Sequence, residues 1–543
     1  MPSQKRGGHL HWKSMRKNST FIASWCFILL LAAVLRLPRL QHRPMHTDEA
    51  VHAVKFAVLL QEGSYTYDAQ EYHGPTLYYF TLIPAWLRGQ SSLEELDEAT
   101  LRLVAVSFGL SLVLLPLLLA PLISRPAALA AGFWIALSPM QVFYSRYYIQ
   151  EVLFVFFGML ALICAGRYLQ QRHWAWALGA GGALGLLHAT KETDIVLIVA
   201  AASAAMVVWL RERPHVSLHG RDLLLALAAA LLVSALFFTA GFTHPQGLLD
   251  SFRAYNGYLH RGAGQTLHTQ PWYYYFNLLF WHHEPGHPWW SEIWIAPFLA
   301  AGLWSARDSR GQNSARSITT RFICSFTLIL CILYSLLPYK TPWNALAFYY
   351  CFLIIAGLGW RQWLEQTKKW QVALYLSVII CSLLISRQAV LLNQRQDSDP
   401  GNPWVYAHPG PDLARITSAV KTAAAAAPEG LRTPVQVAVT GDEYWPLPWT
   451  LRRMPNIGWY DRLDESLSPA PLILISPEQE PLLQHLLYEI PPPGQRNLYL
   501  PLWRGYAELR PGQELHGYIR KDLHDLLDPS AGTQPLTEGI EAK

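Results

Sequence analysis

Charge is what this sequence has least of. Asp, Glu, Lys and Arg supply 15% of its 543 residues, where a soluble domain carries roughly 25%. A chain so poor in charge does not face water all round, and its length exceeds one ordinary domain. Cysteine is scarce as well. Cys26, Cys164, Cys324, Cys331, Cys351 and Cys381 all fall inside apolar runs, which excludes a disulfide framework and a CxxC metal pattern. They read as small hydrophobes in helix packing. No Walker motif occurs, so ATP-driven transport has no support. The net charge of +5 is mild and comes mostly from short basic loops. It marks topology and not a nucleic-acid surface. What abounds is apolar: hydrophobic residues reach 52%, and there are 22 tryptophans.

A bilayer-crossing helix needs about 20 mostly apolar residues. About eleven stretches qualify: 20–37, 101–122, 127–143, 148–166, 174–190, 195–210, 222–241, 291–305, 321–338, 343–360 and 371–391. Those at 127–143 and 291–305 are among the shortest. Lys5, Arg6, Lys13, Arg16 and Lys17 precede the first. No small-residue cleavage site follows Leu37, so the segment reads as an anchor, with residues 1–19 cytoplasmic. Alternation from that start puts Arg125, then Arg167 and Arg172, then Arg211, Arg213 and Arg221 inside. It does the same for Arg307, Arg310, Arg316 and Arg321, and for Arg361, Lys368 and Lys369. Short outer loops carry about one positive residue each, Arg146, Lys191 and Lys340, as the positive-inside bias requires.

Three stretches then lie outside: loops at about 38–100 and 242–290, and the region from about 392 onward. The spacing predicts a mixed α/β domain over 392–527. Asp412–Ala427 is helix-like, Val435–Thr440 and Leu472–Ser476 read as strands, and Pro481–Glu489 as a short helix. Residues 528–543 read as a disordered tail. The fold class is thus a polytopic α-helical protein of a plasma or inner membrane with a C-terminal α/β extracytoplasmic domain. Gly179, Gly181, Gly182 and Gly185 lack the GxGxxG spacing and sit in an apolar span, which suits small-residue packing between helices.

Six polar clusters all land on the outer side. The first is His46-Thr47-Asp48-Glu49, two carboxylates opening a helix-like run over Ala50–Leu60. Thr47 or Asp48 can cap that helix, or a carboxylate there can serve as a general base. The second is His73-Gly74-Pro75, a forced turn followed by an aromatic, amphipathic run. The third is Arg146-Tyr147 with Glu151, the fourth Lys191-Glu192 with Asp194. Charges cost roughly 2.5–3.5 kcal/mol each at mid-bilayer, so these groups belong at the rim. A Lys at that rim can hold a phosphate, or can be a solvated turn residue. The fifth cluster runs Trp272–Trp290, whose aromatic faces suit a sugar ring. Its His282, His283, Glu284 and His287 do not form HExxH, so no metal ligands are assigned. The sixth is Lys340-Thr341-Pro342-Trp343, again suited to a phosphate headgroup.

The pair Asp48-Glu49 after the first span, His73-Gly74-Pro75, and Arg146 near the next outer boundary resemble the GT-C glycosyltransferases. Within them the chain is similar to the branch of the protein O-mannosyltransferases and the aminoarabinose transferase. It resembles the flippase-activity-associated membrane proteins more closely. That likeness rests on His46-x-Asp48-Glu49, Lys340-Thr341-Pro342-Trp343 and Pro446-Leu447-Pro448-Trp449-x-Leu451-Arg452, and it covers most of the chain. The resemblance implies a GT-C-like transmembrane domain over 20–391 and a polyprenyl phosphate sugar as donor. The acceptor is a glycan, lipid or protein. Asp48 is the expected base, with Glu49 beside it, and direct displacement would invert the anomeric centre. Arg146, Lys191 and Lys340 are then expected to hold the donor phosphate. His46, His73, Tyr147, Glu151, Glu192, Trp272 and Trp343 are expected to line the substrates. No cofactor is assigned, and a divalent cation is left open. Membrane lipids are partners; nucleic acid is not.

Two other readings compete. A flippase, or an accessory to one, would show charged or broken helices at mid-membrane and often paired repeats. Here the charges crowd one rim and no repeat is evident, which favours the enzyme. A non-catalytic scaffold would bind sugar without turnover.

Overall fold

The computed structural model describes residues 4–69, 73–213, 217–263, 268–308, 314–366 and 371–527. Arg310, Lys368, Lys369 and the tail 528–543 lie outside the described residues. The chain divides into two compact units. The first comprises residues 1–43, 58–91 and 96–406; the second comprises 44–57, 92–95 and 407–543.

The first unit is helical. Among the described residues, eight helices are long and apolar enough to cross a membrane. They fall in α1 (Gln4–Arg36), α4 (Glu98–Ile123), α7 (Glu151–Gln171), α9 (Asp194–Glu212), α10 (Gly220–Phe238), α14 (Ala315–Leu336), α15 (Leu346–Gln366) and α16 (Gln371–Gln394). The protein is therefore a multi-pass membrane protein. The three remaining sequence-predicted spans fall on shorter helices: α5 (Arg125–Leu137), α8 (Trp174–His188) and α13 (Ala296–Asp308). The first of these stops where Ser138 breaks the run. Its hydroxyl accepts from Gln141 N at 3.2 Å and opens a separate helix, α6 (Pro139–Tyr144), with Pro139 in the first turn. Proline suits that place because its missing N–H has no intrahelical acceptor there. A 3₁₀ turn, Ile293–Ile295, shortens α13 in the same way.

Small residues set the helix spacing. A Cβ on Gly181 would meet Ala226 O of α10 at 2.0 Å, and one on Gly185 would meet Ala230 O at 2.5 Å. Only glycine allows so close an approach of two helix backbones. Gly179 and Gly182 do not face that seam; a Cβ at Gly182 would meet open space. Helices α2 (Thr47–Glu62) and α3 (Thr76–Leu87) follow the first span. Among α3 residues, Ile83, Trp86 and Leu87 stay exposed. The chain after α16 still belongs to this unit: Trp404 is buried, and its carbonyl accepts from the Tyr144 hydroxyl at 3.2 Å.

The second unit is built on a five-stranded sheet of order β2-β1-β3-β7-β4. Its strands are β1 (Val435–Ala438), β2 (Ile457–Tyr460), β3 (Leu472–Ile475), β4 (Tyr499–Pro501) and β7 (His516–Arg520). β1 lies parallel to both β2 and β3, and β7 runs antiparallel to β3 and β4. β3 is apolar at every position because both faces are covered. Leu472 and Leu474 pack with Leu413, Ile416 and Val420 of α17 (Pro411–Ala426). Ile473 and Ile475 face the other way, with Leu483, Leu486 and Leu487. A separate hairpin, β5 (Glu508–Arg510) and β6 (Gln513–Glu514), precedes β7.

Candidate functional site

The carboxylate pair sits at the start of α2, in the second unit. His46 occupies the N-cap. Its ring Nδ1 accepts from Asp48 N at 3.0 Å, and its own N–H donates to Glu49 Oε2 at 3.2 Å. This is the reciprocal arrangement of a capping box, with an imidazole where Ser or Thr usually stands. Capping therefore falls to His46 and Glu49, not to Thr47 or Asp48. A ring nitrogen that accepts carries no proton, so the 3.8 Å approach of His46 Nδ1 to Asp48 Oδ2 is not an ion pair. Glu49 is fully buried, whereas the Asp48 side chain is 42% exposed. His46 also packs on His408, with ring centroids 5.0 Å apart.

The counter-charge comes from the far end of the chain. Burial of Arg510 disfavours its charge, and the Asp48 carboxylate favours it. Arg510 is also ion-paired to Glu443 and donates to Trp445 O at 3.2 Å. Neither Arg510 nor His408 has a local sequence signal: Arg510 comes from the β5–β6 hairpin and His408 from the segment before α17, both far from Asp48 in sequence.

In the first unit the turn between α8 and α9 gathers three charges, and each is engaged. Lys191 is paired with Glu151 of α7, both side chains buried. Glu192 accepts from Tyr67 OH at 2.9 Å and contacts His73 Nδ1 at 2.9 Å. Burial alone would raise the Glu192 carboxyl. The His73 contact, with the Tyr67 hydroxyl, outweighs it and holds the group below the usual carboxylate range. Asp194 accepts from Tyr255 OH at 2.6 Å and lies 3.2 Å from His188 Nδ1. Gly74 lets the loop of His73 approach, since a Cβ there would meet Ala189 O at 2.2 Å.

Arg146 is buried and donates to the carbonyls of Arg36 at 2.8 Å, Pro38 at 2.6 Å and Arg39 at 3.4 Å. These are the open carbonyls past the end of α1. Burial and the neighbouring Arg43 and Arg102 work against its charge, and Asp397 works for it. Tyr147 beside it is buried under the Arg43 guanidinium, 4.8 Å from the ring centroid, and meets Trp343 edge-on at 6.0 Å. Lys340 is buried and donates to Gln270 O at 2.9 Å and to Leu337 O. Burial lowers its ammonium. Trp272 is 64% exposed and meets only Tyr273 and Phe276 among the described ring contacts. The structure thus brings His73 to Glu192, Lys191 to Glu151 and Tyr147 to Trp343, and leaves Trp272 apart.

Residues 25–243 match the family model of the dolichyl-phosphate-mannose-protein mannosyltransferases. No curated protein matches the sequence. The crystal structure of ArnT from Cupriavidus metallidurans bound to undecaprenyl phosphate is similar over 92% of this chain and 97% of that one, with a TM-score of 0.57 and 14% identity. The same protein in the apo state matches over 93% and 98%, with a TM-score of 0.57. The chain has the GT-C fold. The oligosaccharyltransferase of Archaeoglobus fulgidus in complex with Zn and sulfate is similar at a TM-score of 0.50, 13% identity and 84% coverage of this GT-C chain, 68% of its own. The family match begins inside the first span of this chain and takes in Asp48, His73, Arg146, Glu151, Lys191 and Glu192. Lys340, Trp343 and Arg510 lie beyond it.

Proposed function

We propose that this protein is a glycosyltransferase that moves a sugar from a polyprenyl phosphate donor to an acceptor hydroxyl at the outer face of the membrane. The observation that carries the reading is Asp48. It sits in the first turn of α2 yet is not used to cap it, because His46 and Glu49 do that work. Half-exposed and free of capping duty, the Asp48 carboxylate is open to an approaching acceptor hydroxyl, as a general base must be. The GT-C fold and the family match over Asp48 support the same reading.

In the step proposed, the acceptor oxygen attacks the anomeric carbon. The carbon–oxygen bond to phosphate breaks, and its electron pair leaves with the polyprenyl phosphate. The hydroxyl proton passes to the Asp48 carboxylate. A single displacement inverts the anomeric centre. Lys191 and Lys340 serve the donor phosphate. An ammonium has three donors; Lys340 directs two at carbonyls and Lys191 one at Glu151, so each can add a phosphate oxygen. Arg146 serves the same phosphate when it releases a carbonyl. Glu49 and His46 hold the base in register, and His73, Glu151 and Glu192 hold Lys191 and its turn. Tyr147, Trp343 and the exposed Trp272 offer rings to the sugar or the lipid. The N-terminus lies in the cytoplasm and the C-terminal domain outside.

The test is sugar transfer in membranes holding equal amounts of wild type or Asp48→Asn, supplied with radiolabelled polyprenyl phosphate sugars. Labelling by wild type alone, with donor still bound by the variant, supports the reading. Equal labelling removes Asp48 as base. Wild-type-dependent movement of the lipid-linked sugar across the bilayer, without labelling, replaces the enzyme with a flippase.

A further inference from the structure

The transfer step leaves unused the most polar loop of the second unit, Gly441-Asp442-Glu443-Tyr444-Trp445, between β1 and β2. Its place in the topology is informative. The three parallel strands lie in the order β2-β1-β3, so the chain leaves β1 towards one side and returns on the other. In open α/β sheets ligands bind outside the carboxyl ends of the strands, at the strand where the order reverses. Here that strand is β1, and the loop that follows it is 439–446.

The carboxyl edge is held rigid from behind. Gly441 N donates to Asp461, which follows β2, and Gly441 takes a φ of 71° that suits glycine. Gln479 Nε2 donates to Thr440 Oγ1 at 3.0 Å, and its Oε1 accepts from Leu463 N at 3.2 Å. On this frame the side chains that face outward are of the kinds that recognise sugars. Glu443 is half-exposed and paired with Arg510. Trp445 is half-buried, and Tyr444 lies between it and Trp459, with ring centroids 6.2 and 5.0 Å away. Arg510 is the link to α2, since its charge answers both Glu443 and Asp48.

We propose that Glu443, Trp445 and Arg510 form the acceptor subsite and that the acceptor is a pyranose of a glycan, an inference that rests on the transferase reading. The Glu443 carboxylate accepts from two neighbouring hydroxyls of the ring, and Arg510 donates to a ring or hydroxyl oxygen. The Trp445 indole covers the apolar CH face. A third hydroxyl is thereby presented on the side where Arg510 keeps Asp48 company, and that hydroxyl is the nucleophile. A peptide or a plain lipid alcohol has neither the paired hydroxyls nor the flat apolar face.

The experiment uses the full chain in lipid nanodiscs. Binding of methyl mannobioside is read by saturation-transfer NMR, with a threonine peptide as comparison, for wild type, Glu443→Gln and Trp445→Ala. Transfer kinetics from polyprenyl phosphate mannose and binding of polyprenyl phosphate are read in parallel. Glu443→Gln keeps the side chain's shape and an oxygen that can accept from Arg510, so it folds even if Trp445→Ala does not. The expected result is that the disaccharide binds wild type and each variant weakens it about tenfold, the scale of one aromatic or charged contact. KM for the saccharide rises likewise, with kcat and polyprenyl phosphate binding unchanged. No saccharide binding by wild type, equal binding by both variants, or preferred binding of the peptide overturns the subsite. Loss of transfer in Asp48→Asn alongside unaltered Glu443→Gln leaves the transferase standing and the subsite refuted. Saccharide binding that depends on Glu443, without transfer under any condition, keeps the subsite and rejects the transferase.

Discussion

Two turns of this protein carry adjacent charges, and they handle them in opposite ways. The turn at 191–194 buries all three of its ionisable side chains and closes each on a partner: Glu151, His73 with Tyr67, and His188 with Tyr255. The turn at 46–49 buries one carboxylate and leaves the other half-exposed. Both motifs look alike as text. The difference is that a buried charge must be paired to exist at all, whereas a half-exposed carboxylate keeps its water. The first turn is a knot that joins the loop of Tyr67 and His73 to α7, α8, α9 and α11 (Gln246–Ala263); the second keeps one carboxylate open to solvent.

The comparison breaks most sharply at Asp48. Asp48→Asn is expected to lower kcat for transfer by about 10²–10⁴-fold, the usual worth of a general base, while thermal stability stays within about 0.5 kcal/mol. An equal loss of stability would place Asp48 with the knot. At the other turn the expectation reverses. Lys191→Met or Glu151→Gln alone leaves a buried partner uncompensated and should destabilise by about 3–5 kcal/mol, and the double variant should recover much of that loss. Thermal unfolding in detergent of the four proteins checks it; additive losses would show that the pair is not coupled.

A smaller effect sharpens the picture through pH. The folded pKa of Glu192 lies below its unfolded value of about 4.3. Its stabilising contribution is therefore present above that value and is lost as pH falls through the folded pKa. Wild type should lose Tm more steeply than His73→Ala as pH drops below about 5, and His73→Ala should cost about 1.5–3 kcal/mol at neutral pH for a hydrogen bond to a charged group. Parallel Tm curves would remove His73 as the cause. The smallest effect is at Glu49. Alanine should cost about 1 kcal/mol for the lost cap, and Gln, which can also close a capping box, much less.

Much of the architecture is legible in local patterns. The apolar runs at 101–122 and 371–391 became α4 and α16 because about 20 apolar residues in a row suit a bilayer only as a helix, and Asp412–Ala427 became α17 because its apolar residues repeat at the helical period. The run at 127–143 was read as one span because hydropathy does not see that Ser138 and Pro139 start a new helix. The capping of α2 stayed hidden since imidazole is not among the usual N-cap side chains. Arg510 was unreadable for a different reason. Its hairpin is local, pairing Arg510 with Gln513, but Asp48 lies hundreds of residues earlier in the chain, and no window of text spans the two.

The second unit is discontinuous: residues 44–57 belong to it, yet nearly all of its remainder starts at Ala407. During synthesis the segment bearing Asp48 emerges right after the first span, and Glu443, His408 and Arg510 emerge last. Domains assemble as units in order of emergence, but this one cannot, because its first piece waits for its final ones. Until Arg510 has been made, Asp48 lacks the guanidinium whose charge it favours. A nascent or truncated chain would hold every helix of the first unit and still lack the residues that surround Asp48, so the order of translation itself sets when that turn is completed.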